Sequence, residues 1–279
     1  MSFMSDYVTL FAGGLEIALV LAGLGCLWRF AVSPAARACP APRRLGEWDA
    51  PVTDFLFFLL LVLCGSMAAA IAAGFVVKRL PLAGDAVTVF NGAAAQIGML
   101  GGVAAHRFGA GRSQPAPLAP AAGIFSSGVL TFLISLPVLT ATSLAWQAFL
   151  ELCGLPAERQ DLIGMFAHAD SPLLLAFMIT LAIVIAPMAE ELVFRAGLFR
   201  YFRTRMPRWI ALIAPALIFA TLHVNWKTLD GFASLAPLTV LAVIFSLAYE
   251  RTGRIGTPMV AHGLFNLNTI LLIFSGIGT

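Results

Sequence analysis

Glu190 and Glu191 stand side by side at the end of an apolar run from Pro172 to Met188, and Arg195 follows four residues after the second. Residues four apart share a helix face, so Glu191 and Arg195 can pair, while Glu190, turned by about 100°, points elsewhere. One carboxylate can then be structural and the other free to react. Further along, Phe219 precedes His223 by four residues and His262 precedes Asn266 by four, again inside apolar stretches. Ionisable groups inside a bilayer cost about 2.5–3.5 kcal/mol each on insertion scales, so a cluster of them lines a cavity and has a task.

The chemistry open to such a cluster follows from its members. A carboxylate desolvated among apolar helices can act as a general base towards water near neutral pH. An imidazole can orient the same water or shuttle its proton. A second imidazole and an amide donor can stabilise the oxyanion of an attacked carbonyl. Together they suit amide hydrolysis without a covalent nucleophile. The same residues also suit a second mechanism, because Glu190, His223 and His262 make up a zinc shell with a position left open for water.

The elements that must position these groups are membrane helices. A chain of 279 residues that is 60% hydrophobic and 11% charged has more apolar surface than a soluble core can hide. Apolar segments fall at 8–28, 54–77, 87–105, 122–149, 172–203, 209–224, 233–250 and 258–276, which predicts an all-α bundle of about eight transmembrane helices around a polar cavity. The first run, Val8 to Leu27, lacks a basic leader and has Glu16 within it, so it is read as a retained helix. No internal repeat breaks the chain, and residues 1–279 are expected to form a single integral membrane domain whose 172–270 region carries the chemistry. Cys26, Cys39, Cys64 and Cys153 have no paired spacing and are read as buried thiols.

Depth can be estimated from the turns. Pro207 should break the helix carrying Glu190, so the next helix returns antiparallel from an Arg205–Arg208 turn. Glu190 and His223 then both lie roughly 24 Å from that turn, and His262 and Asn266 lie about 13 and 19 Å in from a turn near 251–256. The groups are expected to converge between mid-membrane and inner depth. Alternating the loops places thirteen arginines on one side, against Lys78, Arg79, Arg159 and Lys227 on the other. The arginine side should be cytosolic, with both termini outside and the acidic 151–171 loop, which holds His168, on the external face. The Arg200–Arg208 run is explained by orientation and anionic headgroups and gives no reason to expect nucleic acid. Glu16, Asn91, Gln96 and His106 are assigned to packing or lining, and Gly98, Gly101 and Gly102 to close helix contact.

Glu190-Glu191 with Phe194-Arg195, then Phe219 through His223, then His262 through Asn266 resembles the motif set of the CPBP family, which includes type II CAAX prenyl endopeptidases and abortive-infection and lysostaphin-resistance-like proteins. The resemblance covers about residues 172–270 and implies an intramembrane endopeptidase, hydrolase in class, in a bacterial inner membrane with its site opening to the cytosol. By that resemblance Glu190 would activate the water, Glu191 and Arg195 would support it, His223 would orient the water, and His262 with Asn266 would form the oxyanion pocket. No organic cofactor is expected; zinc, if bound, would take Glu190, His223 and His262. The expected partners are a membrane-associated protein or peptide substrate, prenylated in one branch of the family, and membrane lipids. Two rivals remain: a non-enzymatic immunity or scaffold protein of the same family, and a proton-coupled transporter, for which the inverted repeat is lacking.

Overall fold

The structure is a computed structural model that describes residues 2–38, 43–80, 84–109, 123–155, 171–224, 226 and 229–277. Cys39, Arg112, Arg159, His168, Lys227 and the acidic residues Glu158, Asp161 and Asp170 lie outside the described residues. The described chain is helical, with no strand: α1 (Ser2–Leu27, continued by a wide turn Trp28–Val32), α2 (Pro34–Ala38), α3 (Val52–Val77), α4 (Asp85–Gly109), α5 (Ile124–Leu152), α6 (Pro172–Arg205), α7 (Arg208–His223), α8 (Leu235–Thr252, entered through a tight turn Leu229–Ser234) and α9 (Gly256–Phe274). Seven helical stretches are long and apolar enough to cross a membrane, and the chain is a polytopic helical bundle. The eighth expected span is α7, whose 16 residues reach only about 24 Å, so it stops short and leaves His223 at its broken end.

Local signals account for the breaks. Pro172 occupies the first turn of α6, where its missing N–H costs nothing. Met206 is extended because it precedes Pro207, which ends α6 where the sequence predicts. Gly253, at φ +67°, closes α8 in the left-handed conformation that glycine adopts without strain. Backbone groups have no water to turn to in lipid, so helices are the only open structure available to these segments.

α3 and α4 form the tightest pair. Gly98 and Gly102 of α4 lie against the backbone of Leu61, Val62 and Gly65 of α3, and a Cβ on Gly98 or Gly65 would fall on the other's carbonyl oxygen. Gly101 faces open space instead, so only two of the three expected contact glycines make the contact.

One expectation is corrected at the arginine-rich end, where the guanidinium groups hold a strap of chain at residues 43–50 rather than facing headgroups alone. Arg200 donates to the carbonyls of Gly46 (2.8 Å) and Glu47 (2.9 Å), and Arg205 donates to those of Trp48 (2.9 Å) and Ala50. Trp48 N–H donates to Thr204 Oγ1 at 3.0 Å, and Arg203 and Arg208 close on the buried Glu250 at 2.7 and 2.8 Å. The strap's carbonyls have no helix or strand partner and need donors, which a five-donor guanidinium supplies. Trp48 thereby inserts among Phe55, Phe58 and Tyr201, and the cluster continues through Phe194 to Phe219 beside the glutamates.

The glycine contact gives a paired test. Gly98→Val should lower the melting temperature in detergent by several degrees or abolish folded protein, consistent with an overpacking cost of about 1–3 kcal/mol. Gly101→Val should leave melting unchanged, because nothing stands in the way of its side chain.

Candidate functional site

The site begins with a fault in α6. Its backbone runs as α-helix over Pro172–Thr180, opens into a wide π turn over Leu181–Ile185, tightens over Ala186–Glu190 and opens again over Glu191–Phe199. Pro187 has no N–H to offer the carbonyl of Ile183, and the N–H of Ala186 reaches back to Leu181 O. The carbonyl of Ala182 is then satisfied from outside by Asn266 Nδ2 at 2.7 Å. The carbonyl of Ile183 lies against Gly263, where any Cβ would collide with it. Wide turns of this kind frequently accompany functional sites. Here the fault lies just before the paired glutamates and packs against α9.

The two glutamates part company as the four-residue spacing predicts. Glu191 is fully buried, and its Oε1 accepts from Arg195 Nη1 at 3.0 Å and from His262 Nδ1 at 2.9 Å. Arg195, 1% exposed, lies over the rings of Phe219 and Phe245 at 4.7 and 5.5 Å. This is a charge-assisted triad in an apolar setting, where each ion needs its partner.

Glu190 faces the other way. Its Oε2 is 3.7 Å from His223 Nε2 and 3.8 Å from His262 Nε2, and its Oε1 accepts from Gln96 Nε2 at 3.1 Å. His223 Nδ1 bonds the carbonyl of Phe219 at 2.7 Å, and His262 Nδ1 bonds the Glu191 carboxylate. A carbonyl or carboxylate oxygen can only accept, so both Nδ1 atoms carry hydrogen and both Nε2 atoms present a lone pair in the neutral ring. Separations beyond hydrogen-bond reach are those one small bridging molecule would close. A tetrahedral zinc shell at 2.0–2.1 Å has edges of about 3.3 Å, within about half an ångström of these separations. Among the described residues no group of three His, Cys, Asp or Glu is placed to hold a metal.

The structure therefore gathers Glu190, Glu191, Arg195, His223 and His262 at one place from three helices. It sets Asn266 one turn from His262 with its amide on the α6 backbone. Gln96, assigned to packing or lining, donates to Glu190, a contact that a solitary amide in an apolar helix does not advertise. Of the other polar residues assigned to packing or lining, Glu16 accepts from Asn268 at 2.9 Å and His106 meets Asp54 at 3.2 Å. Access is uneven. His223 has 36% of its side chain exposed, against 10% for Glu190 and 6% for His262. Towards the arginine-rich end the site is closed by Arg195, Phe199, Leu212 and Phe245, all buried.

Residues 172–268 match the model of the family described as type II CAAX prenyl endopeptidase Rce1-like. The chain carries an Rce1-like segment. That segment holds every side chain of the cluster except Gln96, which lies outside the match in α4. Among curated proteins the chain is similar to UPF0177 protein YbdI of Lactococcus lactis, 34% identical over 38% of this chain and 52% of the relative. It is also similar to an Escherichia coli protein named "Uncharacterized 24.3 kDa protein", 29% identical over 43% of this chain and 53% of the relative. A third, the Bacillus subtilis protein named "Putative membrane peptidase YdiL", is 26% identical over 34% of this chain and 36% of the relative. The chain thus spans about half the length, or less, of the curated relatives it matches. No solved structure matches significantly.

The buried pair yields a stability test. Arg195→Ala leaves Glu191 charged without its guanidinium and should cost about 3–5 kcal/mol, whereas Glu191→Leu with Arg195→Met should recover most of the loss. Reversible unfolding in mixed micelles measures both; equal losses in the single and double variants would contradict the pairing.

Proposed function

We propose that the protein is an intramembrane endopeptidase that hydrolyses a peptide bond of a membrane-associated protein or peptide with a water activated by Glu190. The observation that carries this reading is the approach of Glu190 Oε2 to within 3.7 and 3.8 Å of two imidazole Nε2 atoms inside an apolar bundle, in the segment that matches the endopeptidase family. A water seated against these three atoms gives a proton to Glu190 as its oxygen attacks the carbonyl carbon, and Glu190 returns that proton to the leaving amine. His223, with Nδ1–H fixed on Phe219 O, orients the water through its Nε2 lone pair. His262, held at Nδ1 by Glu191, faces the same volume through Nε2 and with Asn266 would form the oxyanion pocket. Glu191 in turn is held by Arg195. Asn266 secures the α6 backbone through one amide hydrogen and has a second to offer the oxyanion.

The steps above use only this chain's side chains and water; zinc, if held by Glu190, His223 and His262, would instead supply a bound water of lowered pKa. The arginine bias supports a cytosolic Arg200–Arg208 end in a bacterial inner membrane. His223 is the exposed edge of the cluster, so substrate is expected to approach past it.

The test uses the purified protein in lipid vesicles with a quenched-fluorescence peptide ending in a farnesylated cysteine and three further residues, beside the same peptide without the lipid. Wild type should cleave at least one of the two, and Glu190→Gln and His262→Ala should each reduce turnover by about 10²–10⁴ while remaining folded. Retained cleavage in both variants would overturn the assignment. Failure of wild type to cleave either, with Glu190→Gln harmless to a cellular function, would favour a scaffold. Stoichiometric zinc lost in His223→Ala would replace the water mechanism by a metal one.

A further inference from the structure

We infer that Gln96, from a helix outside the family-matched segment, is a positioning residue that fixes the rotation of the Glu190 carboxylate so that Oε2 alone faces the two imidazoles. This rests on the proteolytic reading above. A carboxylate has two equivalent oxygens and a soft terminal torsion, so nothing intrinsic selects which oxygen faces the water. The chain makes the selection from two sides. Oε1 accepts the Gln96 amide at 3.1 Å, and Oε2 is left towards His223 and His262 at 3.7 and 3.8 Å.

Three further observations support the assignment. α4 packs against the Ala186–Glu190 turn, so the amide is delivered to the glutamate by helix packing rather than by a flexible loop. The hydrogen bond also has a defined direction: an ionised carboxylate only accepts, so the Gln96 nitrogen must face it. Gln96 Oε1 is then buried with no hydrogen-bond partner, an arrangement that an amide used only to tie two helices together would avoid by finding a second contact. Finally, Glu190 is the cluster's remaining acid, since Glu191 is already bound by Arg195 and His262. Any group that orients Glu190 therefore acts on the reacting oxygen directly. A misplacement of about 1 Å at a reacting group can cost 10²-fold in rate.

The experiment is Gln96→Leu in the full-length protein in lipid vesicles, with the farnesylated peptide as probe and the infrared carboxylate band that disappears in Glu190→Gln as a readout independent of turnover. The expected result is a kcat about 10–100-fold lower with KM changed less than about threefold, an unchanged melting temperature and a displaced Glu190 band. An amide that merely fastened α4 to α6 would lower the melting temperature and leave kcat per folded molecule alone, which overturns the inference. So does an unmoved band. If Gln96→Leu does not fold, Gln96→Asn, which keeps the amide but withdraws it by one methylene, should show the same loss and the same displacement. If wild type cleaves nothing, the proteolytic reading fails while the band still decides whether Gln96 holds Glu190.

Discussion

A fully buried ion pair, Glu191 with Arg195, is the contact on which the rest of this bundle depends. Inside lipid an isolated charge is expensive, and two adjacent carboxylates would repel as well. By binding Glu191 to a guanidinium one turn away and to His262 across the helix interface, the chain absorbs one negative charge into its framework. Glu190 is then the acid left facing the two imidazole Nε2 atoms. The same contact fixes the His262 ring, so Glu191 sets the orientation of a group that faces Glu190. Phe219 and Phe245 complete this floor, touching Arg195 on one side and the imidazoles on the other.

The backbone supplies the second constraint. A proline inside a membrane helix leaves carbonyls that must find donors, and α6 carries its proline three residues before Glu190. Asn266 and the side-chain-free surface of Gly263 resolve the consequence, and in doing so they register α9 against α6 so that His262 arrives opposite the glutamates. The wide turns are thus tied to the site by hydrogen bonding. At the other end, the strap at residues 43–50 draws its donors from α6 arginines, so the helix that carries the acids also anchors the chain that closes the bundle beneath them.

Much of this was legible in the residues and some was not. The Glu191–Arg195 pair, the turn at Pro207 and the convergence of Glu190 with His223 and His262 follow from helical periodicity and rise alone, which is why depth arithmetic was enough to find them. The extent of α7 was legible as well, its apolar run of 209–224 matching the helix Arg208–His223. Gln96 was read as packing or lining, but its bond to Glu190 was not legible, since the partner is 94 residues away and an amide carries no charge. The arginine run was read only in part for the opposite reason: its charge suggests orientation, and the inward hydrogen bonds to strap carbonyls leave no trace in the sequence.

The central claim is that an acid from one helix and imidazoles from two others share one small volume inside the membrane. An experimental structure of the protein in lipid nanodiscs, resolved well enough to show ordered water, tests it most directly. The account predicts density for one solvent molecule bridging Glu190 Oε2 to His223 and His262, with Gln96 on Oε1 and Glu191 turned to Arg195. A Glu190 carboxylate paired with Arg195, or lying more than about 10 Å from both imidazoles and so beyond the reach of one bridging water, would contradict it.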